Sequence, residues 1–420
     1  MIRCALVLVL VVVVTACASR PPRRNEPTPP AVLALVGGRV QAHPETAAIE
    51  DAIVVMAGGT ITAVGRRSEV SVPASARVLD CAGATVLAGF WNSHVHFIGA
   101  AFHEAASAPP AQLEDALRTM LTSRGVVHAV DTGSDLQNTL ALRKRIEAGE
   151  IAGPSILTAG SGLAPAGGSP YYILPARLPE AASAEEATAI IARELDDGAD
   201  VVKVFTGSWA RPDAIVVMPV DVVRAAVAVA HRRGNLVIAH PSNSAGARAA
   251  IEGGVDILAH TFGTELDGRP WDRALPSRVS ARGMSLIPTL KLFSYELRRA
   301  NLPSAVIERV TRNAREQLLA FRQLGGQVLF GTDVGYMTDD DPTDEYVAMQ
   351  DAGLTYPAIL AALTTAPAAR FGAAKRTGRL ARGMAADVVV VDGRPDRDIR
   401  ALTRVRLVLR NGRVLYERAP

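Results

Sequence analysis

The chain has 420 residues, enough for one large domain or for a barrel with a smaller module. Hydrophobic residues make up 49% and charged ones 21%, so burial can outweigh conformational entropy along nearly the whole length, and global disorder is excluded. A net charge of +3 with no basic block gives no electrostatic footprint for nucleic acid, and with Cys4 and Cys17 in the leader, Cys81 alone cannot form an internal disulfide.

Residues 1–16 read as a signal peptide: a basic start at Arg3, an apolar run from Ala5 to Val14, and the small residues Thr15 and Ala16 before Cys17. The run is about half the roughly 20 residues needed to span a bilayer, so it is not a transmembrane helix. Val14-Thr15-Ala16-Cys17 resembles the bacterial lipoprotein box, which makes Cys17 a candidate for lipidation. Residues 17–30 are rich in Pro and Arg without hydrophobic periodicity, as a tether would be. This reading places the protein in the cell envelope, anchored to a membrane by lipid and facing the periplasm or exterior. An ordinary secretory signal with a chance cysteine is the alternative.

From Val32 to Leu87, short β-like runs are separated by Gly37-Gly38 and Gly58-Gly59, which predicts a small antiparallel sheet. The last stretch has the same style, with Asn411-Gly412 between two apolar runs as a strong hairpin signal. Residues 31–87 and 376–420 are therefore expected to fold together as one small β-sandwich module. Between them, residues 88–375 alternate apolar strands with helical periods. Strands are predicted at a segment ending at His94 and near Val126 to Val130, Ser155 to Thr158, Val201 to Phe205, Leu236 to Ala239, Asp256 to Ala259, Ser285 to Pro288 and Val328 to Thr332. Helices are predicted at Ala184 to Asp197, Val220 to Arg233 and Ser304 to Leu324. Eight βα units of this kind imply an α/β fold, a (β/α)8 TIM barrel, with its active site at the C-terminal strand ends.

Four of the eight histidines fall at those ends: His94 and His96 on the first strand, His240 on the fifth and His260 on the sixth. Residues i and i+2 of a strand share a face, so His94 and His96 can meet one metal from the same side. Asp333 ends the eighth strand, where a carboxylate is either a helix N-cap or a metal ligand that takes a proton from water; the histidines favour the ligand. Lys203 is one charge inside the apolar run Val201-Val202-Lys203-Val204-Phe205. Burying an ammonium is costly unless it is paired or neutralised. Two readings stand side by side: a salt bridge to Asp200 or a neighbouring strand, or a neutral amine that reacts with carbon dioxide to give a carbamate able to bridge two metals. His103 and His128 read as packing or surface residues, His231 as a helix-end cation and His43 as part of the small module. The absence of Gly-x-Ser-x-Gly and of Gly-x-x-x-x-Gly-Lys-[Ser/Thr] removes support for serine-hydrolase and nucleotide-binding chemistry. A loop holding Gly160-Ser161-Gly162, Gly167-Gly168 and Tyr171-Tyr172 is expected to shape substrate binding at the barrel mouth.

The chain after the tether resembles the amidohydrolase superfamily, in its branch of imidazolonepropionase-like enzymes and metal-dependent Xaa-Pro dipeptidases. The resemblance rests on Leu87 to His96, Asp200 to Phe205, Ala239-His240, Gly253 to His260, Gly331-Thr332-Asp333 and Gly378 to Asp387. It implies that His94, His96 and Asp333 hold one divalent ion, that His240 and His260 hold a second, and that Lys203 bridges them as a carbamate derived from CO2. Zinc suits imidazole and oxygen ligands. A hydroxide held by the pair would attack the carbonyl of an amide or cyclic amide, with Asp333 carrying the proton to the leaving amine. Three positions depart from the pattern. Asn92 stands where many relatives have Asp, which would alter the orientation of His94; Pro241-Ser242-Asn243 follows His240 where dipeptidases often have Ala-Tyr; and Ser169 follows Gly167-Gly168 where relatives often have His. The leading expectation is thus a binuclear hydrolase of C–N bonds in a small-molecule substrate. The runners-up are a one-metal deaminase or imidazolone-type hydrolase and a dipeptidase of the Xaa-Pro type. A binding lipoprotein without catalysis would have no need of Asp333. Oligomeric state leaves no signal in the sequence.

Overall fold

The computed structural model describes residues 32–261, 265 and 269–419. The leader, the tether and Cys17 lie outside the described residues, as do both outer ends of the expected small module.

The two ends of the chain share one sheet. Its strands run in the order Arg413–Glu417, Val405–Arg410, Val388–Asp392, Ala84–Ala88, Val32–Val40, Ile49–Ala57, Thr60–Arg66, with Arg77–Asp80 beside Val32–Val40. The joint between the ends is the antiparallel pair of Ala84–Ala88 and Val388–Asp392, in which Val86 faces Val390. Two hairpins turn on paired left-handed residues, Gly58-Gly59 (φ 55° and 79°) and Asn411-Gly412 (φ 48° and 74°), the backbone that matches the twist of adjoining strands. The sheet corrects the expectation of purely antiparallel pairing. Val32–Val40 is long enough to pair along one edge with two successive strands, Arg77–Asp80 and then Ala84–Ala88, and both pairings are parallel. All eight strands form a single hydrogen-bonded sheet, with Leu35, Val54, Val86, Val388 and Leu409 in one buried cluster.

The middle of the chain is α/β. Three parallel strands, Phe90–Val95, Val126–Asp131 and Ser155–Thr158, form one sheet. Five more, Val202–Phe205, Val237–His240, Ile257–Ala259, Ser285–Ile287 and Gln327–Val328, form another. Backbone hydrogen bonds run between the two sheets at both seams. Asp200 N donates to Thr158 O (2.8 Å) and Leu163 N to Lys203 O (2.9 Å) at one; Ser93 N donates to Phe330 O (2.7 Å) and Asp333 N to His94 O (2.9 Å) at the other. The last strand is regular only over Gln327–Val328, shorter than the sequence suggests. Beyond it Gly331 is pressed against its neighbours, where a Cβ would sit 2.4 Å from Ile287 Cγ2, and Asp333 turns into a left-handed conformation.

Helices separate the strands where the apolar period changes from two to 3.6. In Val220–Arg232 the buried side is Val222, Val223, Ala226, Val227, Val229 and Ala230, a broad apolar stripe facing the sheet. Ser183, Asp135 and Asn243 each cap a helix by accepting an amide of its first turn. Among the described residues no helix is long and apolar enough to cross a membrane.

The terminal sheet is fastened to the parallel strands by buried polar contacts. His128 stacks on Trp91 with ring centres 4.4 Å apart and bonds Asp387 at 3.1 Å, while Gly89 N donates to Asp387 O at 2.9 Å. His128 is therefore a packing residue. His231 pairs with Asp256 at 2.9 Å, His103 bonds Ile98 O at 3.0 Å, and His43 Nδ1 accepts from Glu45 N at 3.2 Å.

Candidate metal centre

His94 and Asp333 are neighbours because the strand ending at Val95 lies against the segment after Val328. Val95 and Val334 form a parallel bridge, and His96 N donates to Val334 O at 2.9 Å. Around that seam three histidines converge on one carboxylate. Asp333 Oδ1 lies 2.9 Å from His96 Nε2 and 3.4 Å from His94 Nε2, and Asp333 Oδ2 lies 3.9 Å from His260 Nε2. Ligand atoms of His94, His260 and Asp333 all fall within 4.8 Å of one another. His240 extends the cluster on the far side, its ring 4.6 Å from that of His260, and Phe205 packs on it at 5.0 Å. His94, His260 and Asp333 are buried, and His96 and His240 half-buried.

The hydrogen bonds behind the rings fix which nitrogen faces inward. His96 Nδ1 lies 2.7 Å from the Gly133 carbonyl, which can only accept, so Nδ1 carries the proton and Nε2 of the neutral ring is bare. His260 Nδ1 lies 2.6 Å from Thr289 Oγ1, and that hydroxyl donates its own hydrogen to Pro288 O (2.9 Å), leaving Nδ1 as the donor and Nε2 bare. Bare nitrogens thus face a carboxylate whose Oδ1 has no aligned hydrogen-bond donor although it is buried. Acceptors packed against acceptors are unstable unless a cation lies between them. A donor set of imidazoles and a carboxylate, with an unsatisfied buried oxygen at its centre, fits a divalent metal.

Electrostatics agree. Burial, followed by the charge of Lys203 and the neighbouring rings, holds His94 and His260 well below the ordinary imidazole range; burial and Lys203 do the same to His240. All three are neutral, as ligands must be. Burial pushes His96 down too, but the adjoining Asp333 carboxylate outweighs it and raises the ring.

Lys203 is 1% exposed. Burial pulls its amine down to about 8, against the attraction of Asp333 and Asp131. The salt bridge to Asp200 is not formed, because Asp200 is taken by Arg143 Nη1 (2.5 Å) and Thr158 N (2.9 Å). Among the described residues Lys203 has no ion-pair partner, and its Nζ stands 5.3 Å from the Phe205 ring. A poorly solvated amine that loses its proton at about pH 8 reaches, well below the ordinary lysine range, the nucleophilic form that carbon dioxide requires.

Asn92 acts on the backbone and not on the His94 ring. Its Oδ1 accepts from His94 N and Thr332 N, both at 3.2 Å, and its Nδ2 donates to Thr332 Oγ1 at 2.7 Å, so it ties the two ligand-bearing segments together. His260 and Asp333 both have positive φ (74° and 64°), a strained backbone of the kind found at functional positions. Ser169 stands apart from the cluster, its Oγ accepting from Leu178 N at 2.9 Å within its own loop. Asn243 caps the helix Ser244–Gly253, so the turn after His240 serves the helix start. Tyr171, Tyr172 and Tyr336 stack edge to face, at 5.6 and 5.4 Å, and join the long loop to the segment after Asp333.

Sequence reasoning missed three groups. Asp131 sits at a C-terminal strand tip, a place where any carboxylate merits notice. Gly133 and Thr289, which orient His96 and His260, leave no sequence signal because each meets its histidine only through the fold.

Comparison with known proteins gives a consistent picture. Ochratoxinase from Aspergillus niger is 25% identical over 362 residues, covering 77% of this chain and 73% of that protein, and its crystal structure superposes with a TM-score of 0.75 over 92% of this chain and 96% of that one, at 20% identity. A Xaa-Pro dipeptidase with bound methionine in the active site matches with a TM-score of 0.78 at 22% identity, covering 92% of this chain and all of the other. A prolidase complexed with N-methylphosphonate-L-proline matches at 25% identity with a TM-score of 0.75 and the same coverage, 92% and 100%. The sequence profile of the amidohydrolase family matches residues 85–415, and the chain belongs to that family of hydrolases.

Proposed function

We propose that this protein is a binuclear, zinc-dependent amidohydrolase that cleaves the C–N bond of an amide or cyclic amide in a small-molecule substrate. His94, His96 and Asp333 would hold one ion and His240 and His260 the other, with Lys203 as a CO2-derived carbamate between them. The observation that carries this reading is the pair of bare nitrogens of His96 and His260, with His94 between them, facing the Asp333 carboxylate, whose buried Oδ1 is unsatisfied. When bound, the ions would lower the pKa of water toward neutrality and polarise the scissile carbonyl. Asp333 stands where it can take a proton from the attacking water and pass it to the leaving amine. The half-buried, strained site confines these groups to one geometry, which is what proximity catalysis demands.

The architecture in this reading is a (β/α)8 barrel of residues 88–375, closed through the hydrogen bonds at the two seams, with its site at the C-terminal strand ends. Residues 31–87 and 376–420, joined in the one eight-stranded sheet, would fold over on themselves as the β-sandwich module beside it. Residues 1–16 direct export, and a lipid on Cys17 with the tether 17–30 holds the enzyme at the cell envelope. The relatives named above act as ochratoxinase and as prolidases, which supports an amide between a carboxyl group and an amino or imino acid as the first substrate class to try. The Xaa-Pro label itself is weakened by Pro241-Ser242-Asn243 after His240.

The test is a screen of the purified protein, supplied with zinc and bicarbonate, against dipeptides, N-acyl amino acids, lactams and lactones. Hydrolysis of an amide, abolished by Asp333→Asn, is the expected result; no hydrolysis of any C–N bond would overturn the proposal. A second reading, a one-metal deaminase or imidazolone-type hydrolase, draws on the tight set of His94, His260 and Asp333. Ammonia release with a single ion per chain would favour it.

A further inference from the structure

The carboxylate of Asp131 is buried at the end of the strand Val126–Asp131 and paired with no cation at ion-pair distance among the described residues. Its Oδ1 accepts from Ser134 Oγ (2.6 Å) and Gly133 N (3.2 Å), and its Oδ2 from Thr158 Oγ1 (2.7 Å) and Thr139 Oγ1 (3.1 Å). The turn it gathers, 131–134, is clamped on both sides. Thr132 N donates to Val95 O at 3.0 Å and Ser134 N to Gly160 O at 2.9 Å, while Phe97 N donates to Ser134 Oγ at 2.8 Å. Both neighbours of His96 in the chain are thereby tied to this turn. The ring is tied as well, because Gly133 O takes the Nδ1 hydrogen at 2.7 Å. A Cβ on Gly133 would stand 3.2 Å from His96 Cε1, so a side chain there would press on the ring.

We propose that Asp131 is a positioning residue for His96, acting through the Gly133 carbonyl to fix the tautomer and rotation of the imidazole so that Nε2 faces the metal centre. The arrangement of donors explains why the residue is an aspartate. Ser134 Oγ already accepts from Phe97 N, so its own hydrogen must go to an acceptor, and the two threonine hydroxyls and the Gly133 amide converge on the same group. A carboxylate offers acceptors on both oxygens; an asparagine would turn an NH2 toward one of these donor pairs and release it. A neutral side chain could brace a turn at lower desolvation cost. A full negative charge kept in the interior is accounted for by what it orients.

The inference rests on the metal reading of the site, and the experiment separates the two. Nitrogen-15 NMR of the metal-free, full-length protein at mildly alkaline pH reports the His96 tautomer, assigned against His96→Gln. The wild type should show the Nδ1–H form alone, and Asp131→Asn should show a mixture of tautomers. Zinc titration against a chelator should then show the affinity of one ion falling roughly 10- to 100-fold in Asp131→Asn, with the other ion unchanged. Gly133→Ala, which leaves Asp131 in place but crowds the ring, should weaken the same ion, and it supplies the result if Asp131→Asn does not fold. A pure Nδ1–H signal and wild-type zinc affinity in the folded variants would overturn the inference. A wild type that binds no zinc but shows the tautomer change would overturn the metal reading and leave the positioning role standing.

Discussion

Replacing Lys203 by methionine should stabilise the metal-free protein while destroying its metal site. The amine is carried in the interior without an ion-pair partner, and its pKa falls from 10.5 to about 8 because burial disfavours the charged form. At about 1.36 kcal/mol per pKa unit, carrying that charge at neutral pH costs the fold about 3 kcal/mol. Methionine keeps the apolar stem that packs against Gly162 and removes the charge. The sign of the pH dependence follows from linkage. Below about pH 8 the lysine is protonated in both folded and unfolded chains, and the full cost applies. Between pH 8 and 10.5 the folded chain has released the proton that the unfolded chain still holds, so wild-type stability rises with pH relative to the variant. Above that window both states are neutral and the difference vanishes. Urea unfolding in chelator without bicarbonate, at neutral and alkaline pH, measures this directly. A Lys203→Met protein less stable than wild type by roughly 3–5 kcal/mol, at every pH, would show a satisfied buried ion pair and refute the reasoning.

Three further outcomes are expected. Gly162→Ala should lose about 1–2 kcal/mol from a left-handed backbone (φ 85°) and lower metal content, because its methyl would stand 3.1 Å from Lys203 Cγ; denaturation and metal analysis check both. Thr289→Val removes the acceptor of His260 Nδ1 and should weaken zinc binding roughly 10- to 100-fold with little effect on its neighbours' packing, read by chelator competition. Cys17→Ser should move the protein from membrane to soluble fractions and remove the lipid mass; an unmodified wild-type mature chain would end the anchor proposal.

Much of the site was legible because strand ends are simple to find. An apolar run followed by a single histidine or aspartate marks His240, His260 and Asp333, and parallel strands bring the residues at their C-terminal ends to one side of the fold. The strands Val126–Asp131 and Ser155–Thr158 and the helices Ala184–Asp196, Val220–Arg232 and Ser304–Gln323 lie where periodicity puts them, to within a residue or so. What the sequence hid is contact between distant segments. Asn92 and Thr332 are 240 residues apart, and nothing in either neighbourhood announces their bond. The parallel pairing of Val32–Val40 depends on how the chain returns after Thr60–Arg66, which hydrophobic pattern alone does not encode. The salt bridge offered to Lys203 by its near neighbour Asp200 was lost to Arg143, a competitor from the helix Leu136–Glu147.

The measurement that bears most directly on the binuclear account is zinc per chain together with amide turnover, in the wild type, His240→Ala and Lys203→Ala, with and without added formate or propionate. Two ions per wild-type chain are predicted, with a greater loss in Lys203→Ala than in His240→Ala. Turnover of the lysine variant should partly return when a short carboxylate supplies the two missing oxygens. One ion per chain regardless of Lys203, or a lysine variant that keeps both ions or is never rescued, would contradict the account.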